Sequence, residues 1–173
     1  MNRLTAVGYD RLLTALLVVD PLPAWSTNRL SRLTGTPKRH LVEPALLGPL
    51  VGVDAASVLR DPDLLGRLLD SFVVAQLRPE LAVSDRSPRL YHLRQQDGRH
   101  EVDLIVELAN GRIIAIEIKA ASAPSRSDAR HLVWLREQLG DRVLATLVLH
   151  AGPHLYPLDD DVYAVPICSL WTP

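Results

Sequence analysis

Two alternating apolar segments joined by a tight turn constrain this chain more than any other feature in it. Residues 102–108 place Val102, Leu104, Val106 and Leu108 on one face and Asp103, Ile105 and Glu107 on the other. Residues 113–119 place Ile114, Ile116 and Ile118 on one face and Ala115, Glu117 and Lys119 on the other. A period of two with β-branched residues predicts a pair of strands. At their ends, Glu101-Val102-Asp103 and Glu117-Ile118-Lys119 set three carboxylates and one lysine on β-structure otherwise suited to burial. Unpaired buried charge is costly, so these groups must pair, coordinate a cation or reach solvent. The hairpin is therefore a candidate divalent-metal site.

The turn decides whether the acids meet. A two-residue Asn110-Gly111 loop would pair Ala109 with Arg112 and set Asp103 against Ile118, with the acids on different faces. A three-residue Ala109-Asn110-Gly111 loop with Gly111 left-handed would set Asp103 against Glu117 and Glu101 against Lys119. Directly opposed residues share a face, so a common metal site requires the longer loop or an equivalent bulge.

The length of 173 residues suits one domain with a sizeable core, or one domain with a helical appendage. Apolar content of 47% and charged content of 23% are those of a soluble globule. A net charge of -1 lacks the basic excess of a dedicated nucleic-acid binder. The single Cys168 excludes an intrachain disulfide and fits a reducing compartment. No apolar run is long enough to span a bilayer and no signal-peptide pattern follows residues 12–19, so the chain is expected to be cytoplasmic, away from membranes. Arginine far outnumbers lysine, whose only representatives are Lys38 and Lys119.

Along the chain, residues 9–19 predict a helix closed by Asp20-Pro21-Leu22-Pro23. Residues 25–39 predict a loop, and 41–50 and 55–59 short helical pieces. Asp61-Pro62-Asp63 predicts the start of a helix that runs to Arg78 and stops before Pro79. Strands follow at 89–94, 102–108 and 113–119, the first two joined by a turn at Gln96-Asp97-Gly98. A second helix covers 125–139, started by Ser125 or Ser127 and closed by Gly140. A strand at 143–150, loops through 152–161 and a short strand at 162–167 complete the chain. The order predicts an α/β sandwich with a mixed sheet.

That order, with an acid on the first long helix, Asp on the second strand and E-x-K on the third, resembles the PD-(D/E)xK nuclease fold. Residues 64–77 around Asp70, then Glu101-Val102-Asp103, then Ile116-Glu117-Ile118-Lys119, resemble one family in particular. It is the domain of unknown function numbered 4143, normally C-terminal to an AAA-type ATPase in bacterial and archaeal proteins. Leu22-Pro23-Ala24-Trp25 and Thr36-Pro37-Lys38 resemble that family's helical connector. The resemblance implies a restriction-endonuclease-like three-layer α-β-α core over residues 61–173, preceded by an N-terminal helical connector over 1–60. It also implies Asp70, Asp103, Glu117 and Lys119 as catalytic residues. Asp103, Glu117 and the Ile118 carbonyl would hold Mg²⁺ or Mn²⁺. Lys119 would stabilise the attacking water and the developing phosphorane charge, and Asp70 would reach the metal through water. The bland alternatives are solvated edge-strand acids, a cross-strand salt bridge for Lys119, and an arginine partner for Asp70.

The chain departs from the family pattern in three ways. Asp70 replaces a Glu, Glu43 stands where an Asp follows the Pro-Lys segment, and no G-x-x-x-x-G-K-[ST] sequence supplies an ATP site. The chain thus has the look of a stand-alone remnant, a fragment or a split partner of an ATPase. Glu101 and Gln76 are expected to be solvated. Arg126, Arg130 and Arg136 are expected on an exposed face balanced by Asp128 and Glu137, His131 and His150 as structural residues, and Asp159-Asp160-Asp161 as a solvated turn. Cys168 lacks the partners of a thiol nucleophile.

The leading expectation is a metal-dependent phosphodiester hydrolase acting on nucleic acid. The alternative is an inactive nuclease-like module that binds nucleic acid or a partner protein, such as a separately encoded ATPase. A third expectation is self-association through the apolar stretches 12–19 and 41–51 of the N-terminal segment.

Overall fold

The computed structural model of the protein describes residues 2–95 and 98–171. Gln96 and Asp97, and with them most of the turn expected there, lie outside the described residues. Helix α1 covers Arg3–Ala15, with the Asn2 side chain accepting from the Leu4 amide. It lies earlier than the expected helix over 9–19. Leu17 takes a positive φ of 55°, and the chain turns into strand β1, Val19–Leu22. The expected loop over 25–39 contains helix α2, Arg29–Thr34, and the start of strand β2, Lys38–Leu41, which pairs antiparallel with β1. Both strands of this ribbon are edges, a setting that tolerates Pro21. The expected short helices follow as α3, Leu47–Val51, and α4, Ala55–Arg60.

Helix α5 runs over Pro62–Ala82, started by the Asp61 side chain accepting from the Asp63 and Leu64 amides. It continues through Pro79 rather than stopping before it. The proline forfeits its own amide bond within the last turn, where that loss is small, and Leu81 packs on the same core as Leu77 and Phe72. Strands β3 (Arg89–Arg94), β4 (Glu101–Glu107) and β5 (Ile113–Lys119) come next. Helix α6, Arg130–Leu139, is entered through a turn in which Ser125 and Asp128 form a capping box. Gly140, with φ 52°, closes it. Strand β6, Val143–His150, strand β7, Tyr156–Asp159, and strand β8, Val162–Pro166, complete the sheet. β7 replaces part of an expected loop. It is an edge strand, which accommodates Pro157.

The six strands lie in the order β3-β4-β5-β6-β8-β7, and the sheet is mixed. β5, β6 and β8 are mutually parallel, and the outer pairings are antiparallel. Val73 and Val74 of α5 pack one face with Leu104, Ile116 and Leu149. Leu132 and Leu135 of α6 pack the other with Ile105, Ala115 and Val148. The architecture is thus an α/β sandwich of three layers. The segment before β2 is built into it. Leu22 is fully buried in the α5-side core. Trp25 lies in the α6-side core, and its amide donates to His92 O at 2.6 Å while the His92 amide donates to Pro23 O at 3.0 Å. These bonds cover the otherwise open edge of β3.

The β4–β5 turn is the three-residue form. Leu108 N donates to Arg112 O at 2.9 Å, and Gly111 is left-handed with φ 78°. Leu104 then opposes Ile116, and Glu107 opposes Ile113. A side chain at Gly111 meets open space, so only backbone conformation penalises it. Gly111→Ala is expected to cost about 1 kcal/mol in urea denaturation, and Gly111→Asn less.

Candidate active site

The register brings Asp103 beside Glu117, but a bulge in β4 orients it. Tyr91 pairs with Ile105 while Leu93 pairs with Val102, so His92 faces two residues, Leu104 and Asp103. Strict alternation therefore fails at this point. Val102 joins Ile105 in the α6-side core, although the pattern assigns it the opposite face. Asp103 leaves the face of Ile105 and Glu107 and turns toward α5. The β4–β5 ladder opens here, and the Ile118 amide donates to Asp103 Oδ2 at 3.0 Å.

Four sequence-predicted residues meet in this opening. Glu117 is 4% exposed and lies within hydrogen-bond reach of Asp103. Lys119 Nζ stands 3.4 Å from Glu117 Oε2, with a third of its side chain in solvent. Asp70, on α5, lies within the field of the Asp103, Lys38 and Lys119 charges. Ile118, expected to contribute its carbonyl, contributes its amide to Asp103. Glu101 does not pair with Lys119; its ion pair is with Arg94 at 3.8 Å.

Lys38 is the residue that the strand and helix patterns do not single out. Its Nζ donates to Asp70 Oδ2 at 2.9 Å and to Asp103 Oδ1 at 3.1 Å. The signal lies in composition. The chain has two lysines among nineteen basic residues, and both are at this cluster. Strand β2 delivers Lys38, so a segment expected as loop is what completes the site.

The charges are unequal in character. Burial, and then the Asp103 charge, push Glu117 up to about 9. Burial and Asp103 likewise push Asp70 up to about 6. Burial opposes ionisation of Asp103 too, but the Lys38 ammonium and the Ile118 amide hold its carboxyl below the ordinary range. The Lys38 ammonium is desolvated, yet Asp103 and Asp70 raise its proton affinity. Beside them, burial pushes His40 down to about 4 and lowers His92.

The donor chemistry suits a hard cation. Once Glu117 ionises, its Oε1 is left buried without a hydrogen-bond partner beside the ionised Asp103. Such an orphaned acceptor is costly unless a cation or water fills the gap. Oxygen ligands of this kind favour Mg²⁺ or Mn²⁺. Among the described residues, no three His, Cys, Asp or Glu side chains converge into a ready-made cage. Asp103 and Glu117 are thus a two-carboxylate donor set, with Asp70 held off by Lys38.

The remaining expected residues lie elsewhere. Gln76 Oε1 accepts from the Trp171 indole at 3.2 Å rather than being simply solvated. Arg126 and Arg136 are paired with Asp159 at 2.8 Å and Asp161 at 2.7 Å, so the acidic turn is tied to helix α6 rather than merely solvated. Arg130 Nε contacts His131 Nε2 at 3.0 Å. His150 is fully buried and structural, with Nδ1 accepting from the Gly152 amide at 3.0 Å. Cys168 is exposed. No helix among the described residues is long and apolar enough to cross a membrane.

Residues 65–170, which include Asp70, Asp103, Glu117 and Lys119, match the family described as Domain of unknown function (DUF4143). Uncharacterized proteins of Mycobacterium bovis and Mycobacterium tuberculosis are each 38% identical to the chain over 169 residues, which is 97% of it. The chain spans 36% of the length of these curated relatives. With more than half of its length matched by one family, the chain belongs to DUF4143.

Proposed function

We propose that the chain carries a metal-dependent phosphodiester hydrolase of PD-(D/E)xK type, with residues 61–173 as a restriction-endonuclease-like domain and 1–60 as its connector. The observation that carries this reading is the convergence of Asp103 and Glu117, from adjacent antiparallel strands, beside Lys119. The ionised Asp103 and the orphaned Glu117 Oε1 would hold Mg²⁺ or Mn²⁺. Such an ion, when bound, supplies Lewis acidity and an activated water. Lys119 reaches solvent and would set its positive charge against the attacked phosphate. Asp70 would orient the Lys38 side of the cluster rather than touch the phosphate. Nucleic acid is the proposed substrate, and the cytoplasm the proposed location.

The test is purified protein with Mg²⁺ or Mn²⁺ and mixed DNA and RNA substrates. Cleavage is expected to fall about a hundredfold in Asp103→Asn and in Lys119→Met. Equal background cleavage by wild type and Asp103→Asn would remove the enzyme from consideration.

A second reading, a binding module without catalysis, is favoured by the apolar surface of the N-terminal segment. Leu4, Leu12, Leu16 and Leu17 are each more than half exposed along and just after α1. Exposed apolar side chains in this number suit a protein partner, such as a separately encoded ATPase or a second copy. Under this reading Lys119→Met leaves the measured activity of the protein, partner binding, unchanged.

A further inference from the structure

We propose that Lys38 is the resident counter-cation of the carboxylate cluster, and that it yields Asp103 whenever a divalent cation is held there. The inference rests on the metal-binding part of the preceding proposal and not on hydrolysis. Three carboxylates and the chain's two lysines share the cluster. Lys38 Nζ sits between Asp70 Oδ2 and Asp103 Oδ1, at 2.9 and 3.1 Å, in the role a cation would fill. An ion held between Asp103 and Glu117 would set its two positive charges beside the Lys38 ammonium on the same carboxylate, where they repel strongly away from bulk water. Retention of Lys38 on Asp103 and occupancy of the Asp103–Glu117 pair by a doubly charged ion therefore exclude one another.

The surroundings give Lys38 somewhere to go. A cavity of about 340 Å³ lies against it, lined also by Val19, His40, Leu47, Leu68 and Asp70. Asp70 lines that cavity and Asp103 does not, so the flexible lysine stem can swing outward while keeping one carboxylate. The strand that bears Lys38 belongs to a separate two-stranded ribbon, four residues per strand. Ion pairs between Asp20 and Arg78 and between Arg39 and Asp10 hold that ribbon. Neither pair touches the carboxylates, so the ribbon keeps its place while the Lys38 side chain moves. Lys38 is thus a positioning residue that couples the N-terminal ribbon to the state of the site.

The experiment uses the full chain in two measurements. The first is Mn²⁺ titration, read as free ion by electron paramagnetic resonance, on wild type and Lys38→Gln. Removing the competing ammonium is expected to tighten Mn²⁺ binding at least about tenfold. The second follows the wild-type chain itself. With carbon-13 on the lysine ε-carbon, wild type gives two signals because it has two lysines. Lys119→Arg assigns them. Mg²⁺ is expected to shift the Lys38 signal as Asp103 is released. Equal or weaker Mn²⁺ binding by Lys38→Gln, or a Lys38 signal unmoved while the ion binds, overturns the proposal. Failure of both proteins to take up Mn²⁺ overturns it together with the metal site. Tenfold tightening and a shifted signal without any cleavage uphold it and sink only the hydrolase reading.

Discussion

Replacing Glu117 with glutamine is expected to stabilise the fold at neutral and alkaline pH, and to flatten its pH dependence. Glu117 is almost fully buried against Asp103, and its carboxyl is pushed from 4.5 up to about 9. Between those values the folded chain keeps a proton that the unfolded chain releases. Stability from this group is therefore complete below pH 4.5 and is lost as pH rises toward 9. Each pH unit in that window removes about 1.4 kcal/mol, an upper limit on the order of 5 kcal/mol by pH 8. Glutamine has the same shape, carries no charge and can still donate a hydrogen bond to Asp103. Urea denaturation at pH 5 and pH 8 measures the effect. The difference between wild type and Glu117→Gln isolates this group from the other titrating residues. Parallel pH profiles for the two proteins would show that Glu117 is not held protonated. A buried acid whose removal strengthens the fold is kept for something other than stability, and a bound cation is what would reclaim the loss.

Much of this centre is legible in the sequence, because the physics there is local. An odd-membered Ala109-Asn110-Gly111 loop fixes the register, and the register sets position 103 alongside 117. The β4 bulge is not legible. The sheet is covered by helices on both faces, so Val102 and Leu104 are equally at home on either side, and a shift of phase leaves no mark in the pattern. β2 is hidden for another reason. Lys38-Arg39-His40-Leu41 has no apolar alternation, and it is a strand only because β1 is there to pair with it. Pro79 and Pro157 mislead in the same way. Each penalty is met by context, Leu81 packing in one case and an edge position in the other. Lys38 needs three dimensions, since the acids it joins, on the helix and on the hairpin, are 32 and 65 residues away from it along the chain.

Arg32→Ala is expected to destabilise the protein by about 4 kcal/mol. Its guanidinium grips Glu107 with two bonds, of 2.6 and 2.8 Å, and donates to Ser26 O at 2.6 Å. It lies over the rings of Trp25 and Tyr91, 5.2 and 5.1 Å from their centres. Both Arg32 and Glu107 are nearly buried, so the variant strands a carboxylate that the Trp25 indole, at 3.2 Å, satisfies only in part. Arg32→Lys is expected to recover little, because an ammonium can neither fork onto a carboxylate nor stack flat on a ring. The paired change Arg32→Met with Glu107→Leu is expected to cost much less than Arg32→Ala, since no buried charge is left behind. Urea midpoints of the three variants decide the matter, and equal losses in single and paired variants would refute a buried-charge origin. The pair should also show its own pH signature. Arg32 first, against the opposing effect of burial, holds the Glu107 carboxyl below 4.5. Its stabilisation is therefore present above pH 4.5 and fades as pH falls through the lowered value, so the Arg32→Ala deficit should shrink in acid. Helix α2 links β1 to β2, so the loosening is expected to spread along the ribbon. Backbone hydrogen exchange in residues 19–41 should quicken while β5 and β6 stay protected. The same grip that seals the α6-side core then also determines how firmly Lys38 is presented to the acids of β4 and α5.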